Sequence, residues 1–280
     1  MVSNEPLTRR QVIAVLGAAG LVHVTGCGRF AFHSVDPVTH RGLQLYTVRT
    51  LLGRDVEGTL AQVGQVGYRE VETAGYFNRS AADFRRALDS AGLSAPSAHL
   101  DIDALNNTLP KLLDDSVKIG HKWIVVPSLP GRTADVYKRA GEQLAKAAAA
   151  AKSTGIRIAY HNHDVDFRPL GDTTGMDILL NAYGPDVAAE LDVYWIVKAG
   201  GDPFDFIAKH PGRVKMLHLK DASPAPELAM RDVGAGTIDW PRLLARSDEA
   251  GIEHCFVEHD SPGDALASIR ASYNYLSKIG

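Results

Sequence analysis

The sequence predicts an α/β protein, a single (β/α)8 TIM barrel, and three observations carry that expectation. Short apolar runs recur about every 25–35 residues, each is followed by a helix-like segment rich in Ala, Leu and charge, and no linker rich in Pro, Gly and Ser divides the series. The eight runs are Leu43–Val48, Glu70–Ala74, Ser94–Leu100, Trp123–Pro127, Arg157–His163, Ala188–Tyr194, Val214–Lys220 and His254–Asp260. Between them, Ala81–Ala91 starts after Ser80, an N-cap residue, and ends at Gly92; the alanine-rich Ala134–Thr154 ends at Gly155. A doubly wound open sheet would place a Gly-rich loop after its first strand, where this chain has Tyr46-Thr47-Val48-Arg49-Thr50.

The length fits one barrel. Of 280 residues, 45% hydrophobic and 22% charged, roughly 250 remain once an N-terminal segment is set aside. The expected organisation is residues 1–27 as a signal segment, 28–41 as a linker and 42–280 as the barrel. A net charge of −3 and a pI near 6.4 provide no basic field for a polyanion, so nucleic acid is not an expected partner and a small sugar-sized molecule is.

Paired arginines in Thr8-Arg9-Arg10-Gln11-Val12-Ile13 stand directly before the apolar run from Val12 to Val24, which resembles a twin-arginine export signal. That run is roughly thirteen residues, interrupted by His23, and falls short of the ~20 that span a bilayer. Val24-Thr25-Gly26-Cys27 resembles a bacterial lipobox, which implies lipidation of Cys27 and a periplasmic or membrane-anchored lipoprotein held by its lipid anchor only. The alternative is an ordinary signal-peptidase site with an incidental cysteine. Cys255, the other cysteine, is then unpaired, and no disulfide framework is expected.

In a barrel of this kind, chemistry sits at the C-terminal strand ends, where side chains alternate between the interior and the helix layer. Polar residues two apart near a strand end are therefore informative: Gln44 and Tyr46; Glu72; His99 and Asp101; His161 and His163; Glu190 and Asp192; His218 and Lys220; Glu258 and Asp260. A lone strand-end His or carboxylate is usually a hydrogen-bonded packing residue or a helix cap. Here the last four strands each supply one at the same height, and so many ionisable groups in one mouth call for a compensating divalent cation. Mixed imidazole and carboxylate donors suit Mn²⁺, Co²⁺, Zn²⁺ or Fe²⁺ rather than Ca²⁺ and do not choose among the four.

At these strand ends the chain resembles the xylose-isomerase-like sugar phosphate isomerase/epimerase family, whose members include ketose 3-epimerases, hydroxypyruvate isomerase and inosose dehydratase. The resemblance spans roughly Gly42 to Ser277. It rests on GLQLYTVR, REVETAGY, AYHNHD, ELDVYW, HLKD, DVGAGTIDW and FVEHD, in this order. It implies a metal held by His161, Asp192, His218 and Glu258. His161 departs from the family, which has a glutamate there; Trp195 departs again, standing where the epimerases have a histidine.

With His161 in place of a glutamate, the symmetric two-glutamate proton transfer of the epimerases is broken. The expected activity is a metal-dependent isomerase or epimerase of a sugar or keto-sugar, moving a proton through a metal-stabilised enediolate. The alternatives are a lyase or dehydratase acting on a keto-sugar or 3-keto-glycoside, and a non-catalytic exported sugar-binding barrel. Catalytic candidates are His163, as base, and Glu258; His163 is equally readable as a further ligand or an orienting donor. Gln44, Glu72, His99, Trp195 and Lys220 are candidate substrate contacts, Lys220 otherwise pairing with Glu190 or Asp260. The glycines of Asp232-Val233-Gly234-Ala235-Gly236-Thr237 read as a tight turn rather than a phosphate loop, since no Lys or Arg follows closely.

Overall fold

A computed structural model describes residues 41–246 and 250–279. The export-like segment, Cys27 and nearly all of the 28–41 linker lie outside the described residues. The barrel strands are β1 (Arg41–Gln44), β2 (Glu70–Thr73), β3 (Ser94–His99), β4 (Trp123–Val126), β5 (Arg157–His161), β6 (Val187–Asp192), β7 (Val214–Leu219) and β8 (His254–Val257). Each pairs in parallel with its sequence neighbours, and β8 closes onto β1 through Arg41 opposite Cys255 and Leu43 opposite Val257. This is the expected (β/α)8 barrel.

Helices follow as α1 (Arg49–Leu52), α2 (Val56–Val66), α3 (Ala81–Ser90), α4 (Ile102–Ile119), α5 (Ala134–Ala151), α6 (Gly175–Tyr183), α7 (Val193–Lys198), α8 (Pro203–Lys209), α9 (Trp240–Leu244) and α10 (Ala265–Leu276). Many start on a side-chain cap that satisfies an otherwise orphaned amide: Asp55, Ser80, Thr133, Thr174 and Asp264 each accept from a first-turn N–H. The alanine-rich segment is α5 followed by a 3₁₀ turn, Lys152–Thr154, stopped by Gly155 at φ 75°. Two-residue ribbons, Pro169–Leu170 with Thr173–Thr174 and Asp221–Ala222 with Met230–Arg231, decorate the mouth. No described helix is long and apolar enough to cross a membrane.

The strands are shorter than the apolar runs. β1 stops at Gln44, whose Oε1 accepts from the Tyr46 amide and turns the chain into a 3₁₀ segment, so Tyr46 stands half-exposed on the rim and not on a strand. β6 stops at Asp192, whose side chain caps α7. The runs at β5, β7 and β8 likewise overshoot, leaving His163, Lys220 and Glu258 just past the strand ends.

Two apolar layers hold the barrel. Outward strand residues such as Leu43, Val71, Ile124, Ile158, Leu191 and Leu217 are fully buried against the helices, each contributing ~1.5–3 kcal/mol. Inside, Trp123, Val125, Ala159, Ala188, Met216 and Phe256 form a separate apolar plug. A Cβ on Gly42 would overlap the Phe256 ring and the Cys255 carbonyl, so β1 needs glycine there. Cys255 is an unpaired buried thiol, pushed up to about 12 by burial.

Candidate metal centre

Above the plug the inward positions become polar. Gln44 on β1, Glu72 on β2, Ser97 and His99 on β3, His161 on β5, Glu190 and Asp192 on β6 and His218 on β7 converge, with Lys220 and Glu258 just beyond β7 and β8. All except the half-buried His99 are buried. A core layer of this composition is tolerable only where charges meet partners or a cation.

The distances define two levels. Below, Glu72 Oε2 lies 2.6 Å from both Gln44 Nε2 and His218 Nε2 and 3.0 Å from His99 Nε2, while Ser97 donates to its other oxygen. Glu190 Oε2 lies 2.8 Å from His99 Nε2 and 3.1 Å from both His161 Nδ1 and His218 Nε2. Above, Glu258 Oε2 is 2.8 Å from His218 Nδ1, and Asp192 Oδ2 is 3.8 Å from His161 Nε2 and 4.0 Å from His218 Nδ1. Lys220 Nζ stands 3.0 Å from Asp192, 2.8 Å from Glu258 and 2.7 Å from Asp260.

Electrostatics follow from this crowding. Burial lifts the Asp192 carboxyl to about 6, with Lys220 and His218 opposing. Burial would also lift Glu258, but Lys220 and His218 outweigh it and hold that carboxyl far below the usual range. For His218, burial is outweighed by Glu190, Glu258 and Glu72, and its pKa stands well above the usual value; Glu72 and Glu190 likewise raise His99 to about 9 against burial. His161 is held well below the usual value by burial and by the neighbouring His218, His163 and His99. His163 is lowered by burial and by Lys220.

The donors fit a divalent cation. Five carboxylates, Glu72, Glu190, Asp192, Glu258 and Asp260, outnumber the Lys220 ammonium and the two imidazoles shifted towards protonation, His99 and His218, and buried Asp192 Oδ2 meets only Lys220 Nζ within 3.5 Å. His161, Asp192, His218 and Glu258 can each offer a ligand atom within 4.8 Å of the others; so can a second set, His99, His161, Glu190 and His218. Softness of the donors again leaves Mn²⁺, Co²⁺, Zn²⁺ and Fe²⁺ open.

Over the cluster opens a cavity of about 550 Å³ whose wall includes Tyr46, Arg49, His99, His161, His163, Lys220, Glu258 and Asp260. A cavity of about 460 Å³ at the opposite end of the barrel, lined by Trp123, Arg157, Arg213 and Lys215, contains none of the strand-end histidines. Of the candidate substrate contacts, His99 and Lys220 reach the mouth. Gln44 and Glu72 do not: both are fully buried, with their hydrogen bonds made inside the protein, so they build the floor beneath the site. Trp195 is half-buried and not part of the cavity wall, its ring centroid 5.4 Å from that of His163. His163 lines the cavity, and its Nδ1 is buried without a partner. Lys220 pairs with Asp260, one of its two expected partners, rather than Glu190.

Three supporting residues escaped the sequence argument. Glu190 was visible only as a strand-end carboxylate, and its contact with three histidines depends on barrel closure. Asn162 should face the helix layer by alternation, yet its amide brackets the Asp192 backbone, donating to the carbonyl at 3.2 Å and accepting from the N–H at 2.9 Å. Asp221 accepts from the amides of Ala222 (2.8 Å), Gly234 (2.9 Å) and Ile238 (3.1 Å) and from Trp240 Nε1 (2.8 Å). Thr237 and Ala235 amides bond to Ala222 and Asp232 carbonyls. The amides at Gly234, Ala235, Thr237 and Ile238 are thus occupied by the protein itself. Gly234 has φ 87°, and a Cβ on Gly236 would strike the Asp221 carboxylate.

The chain is 24% identical over a 243-residue alignment to the rhizopine catabolism protein MocC of Rhizobium meliloti, covering 71% of this chain and 73% of that protein. A crystal structure of a sugar phosphate isomerase/epimerase from Parabacteroides distasonis superposes with TM-score 0.74 at 26% identity, covering 85% of this chain and 94% of that one. The IolI protein, whose crystal structure holds a bound zinc atom, shares the fold at TM-score 0.66 and 16% identity, over 86% of this chain and 97% of its own. The family profile described as xylose isomerase-like TIM barrel matches residues 60–279. The chain belongs to the xylose isomerase-like TIM barrel family.

Proposed function

We propose that the protein is a divalent-metal-dependent enzyme of the sugar isomerase type, acting on a sugar or keto-sugar by moving a proton beside a carbonyl, with His161, Asp192, His218 and Glu258 holding the metal. One observation carries this reading: the buried His161–Asp192–His218–Glu258 quartet lies beneath a cavity of about 550 Å³ whose wall includes the imidazole of His163. Similarity to a sugar phosphate isomerase/epimerase and the zinc atom of the IolI protein support it. The cation, when bound, polarises carbonyl and hydroxyl oxygens of the substrate.

The protein's own groups divide the remaining work. His163 takes a proton from the hydroxyl-bearing carbon next to the carbonyl and returns it to the former carbonyl carbon while the hydroxyl proton passes to the former carbonyl oxygen, which interconverts ketose and aldose. Lys220, fixed by Asp260, donates to a substrate hydroxyl, and His99 offers a further polar contact. The polar–apolar mixture of the wall, with Tyr46, Leu100 and Pro127 among charged groups, suits the two-sided surface of a sugar ring.

One observation favours a lyase as the second reading. Glu258 is engaged by His218 and Lys220, which leaves His163, on the cavity wall, as the base. A single base removes a proton and lets a β-oxygen depart as readily as it moves the proton to the next carbon. Incubating metal-loaded protein with ketoses and 3-keto-glycosides in D₂O separates the outcomes: deuterium in an isomeric product supports isomerisation, and loss of water or aglycone supports the lyase. Turnover surviving in chelator-stripped protein would refute both.

A further inference from the structure

His161 and His218 belong to both candidate ligand sets, and each ring presents a different nitrogen to each set. Towards the mouth, His161 Nε2 faces Asp192 at 3.8 Å and His218 Nδ1 faces Glu258 at 2.8 Å. Towards the floor, His161 Nδ1 and His218 Nε2 both meet Glu190 Oε2 at 3.1 Å. A neutral imidazole that binds a metal through one nitrogen carries its proton on the other, and that proton needs an acceptor. Glu190 is fully buried on β6, two residues before Asp192 and therefore on the same inward face, and its second oxygen is without a hydrogen-bond partner. Nothing in its surroundings requires a carboxylate except these rings and His99, 2.8 Å away.

We propose that Glu190 is the positioning residue of the metal centre: one carboxylate oxygen accepts from the floor-facing nitrogens of both His161 and His218, fixes both tautomers, and places a negative charge directly behind two otherwise neutral ligands. The proposal rests on reading His161, Asp192, His218 and Glu258 as the ligand quartet. It explains why two sets of donors overlap: one set binds the cation, and the other holds two of its ligands in register. The His218 N–H is shared with Glu72, itself held by Gln44 and Ser97, so the floor is a continuous hydrogen-bonded platform.

The test uses the full chain stripped with chelator and titrated with Zn²⁺ or Co²⁺ alone. Glu190→Gln should keep one equivalent of metal with affinity weakened about 10–100-fold, the range for residues that back a ligand, and should shift the visible bands of the Co²⁺ form. Glu258→Gln should weaken binding further than that. Wild-type affinity and an unchanged Co²⁺ spectrum in Glu190→Gln overturn the proposal. So does loss of metal in Glu190→Gln with retention in Glu258→Gln, which would make Glu190 a ligand of the other set. A second measurement needs no variant: long-range ¹⁵N–¹H correlation on the zinc-loaded wild-type chain should find protons on His161 Nδ1 and His218 Nε2, and the opposite tautomers overturn the idea. A wild-type chain that binds neither metal removes the quartet reading itself, a result distinct from either failure of Glu190.

Discussion

Replacing Asp192 by Asn separates two roles of one side chain. Its Oδ1 caps α7 by accepting from the Trp195 amide at 2.9 Å, and an Asn oxygen reproduces that bond. Its Oδ2 is without a hydrogen bond, 3.0 Å from Lys220 and 3.8 Å from His161. Burial raises the carboxyl from 3.8 to about 6. An acid whose folded pKa exceeds its unfolded one destabilises the fold when ionised; the effect is absent below about pH 4 and complete above about pH 6. A rise from 3.8 to about 6 corresponds to about 3 kcal/mol against the folded, chelator-stripped protein at pH 7. Asn resembles the protonated acid, so stripped Asp192→Asn should be more stable than stripped wild type by about 3 kcal/mol at pH 7, with the gap closing towards pH 4. Metal reverses the order. At a free concentration about a thousandfold above Kd the wild type gains about 4 kcal/mol, whereas the variant, deprived of an anionic ligand, gains little. Urea denaturation from pH 4 to 8, with and without Zn²⁺ or Mn²⁺, reads both effects. A stripped variant less stable than wild type at pH 7, or equal stabilisation of both chains by metal, refutes the reasoning.

Other outcomes are expected. His163→Gln should lower kcat about 10²–10⁴-fold while metal content by elemental analysis stays at the wild-type level; loss of metal would instead make His163 a ligand. Metal binding should release a proton near pH 7, because Glu190, Glu258 and Glu72 outweigh burial and keep His218 protonated in the stripped chain. Affinity should therefore fall as pH falls, and calorimetry in buffers of different ionisation heat checks it; zero proton release contradicts it. Asp221→Asn should destabilise by about 2–4 kcal/mol, since an amide cannot accept all four N–H groups now on the carboxylate. A change under 0.5 kcal/mol in urea midpoints would count against that role. Finally, expression in a bacterial host should show globomycin-sensitive processing at Cys27; a soluble product retaining Met1 argues against lipidation.

The barrel was legible because alternation of apolar run and helix is a local pattern, repeated eight times. Period two made the strand-end pairs His161/His163, Glu190/Asp192, His218/Lys220 and Glu258/Asp260 legible, and the family resemblance picked the four proposed ligands from among them. What escaped depends on closure. Gln44 and Glu72 read as sugar contacts from their strand-end positions, yet the curvature that closes β8 on β1 sets them under His218. Glu190 acquires its meaning only when β3, β5 and β7 bring three histidines to one oxygen. The shift of Tyr46 from strand to rim came from a cap, Gln44 to its own turn, which leaves no periodic trace.

The Asp221 carboxylate gathers the amides of its own neighbour, of Gly234 and of Ile238, and the indole N–H of Trp240 at the start of α9. That quarter of the rim is welded to the end of β7, immediately beside Lys220 and three residues from His218. One strand away across β8, the rim after β1 carries the exposed Tyr46, with Arg49 lying across its ring at 3.8 Å. Tyr46 and Arg49 line the cavity apart from the Asp221-braced rim, so substitutions there should alter substrate entry and exit rates while metal content stays at the wild-type level.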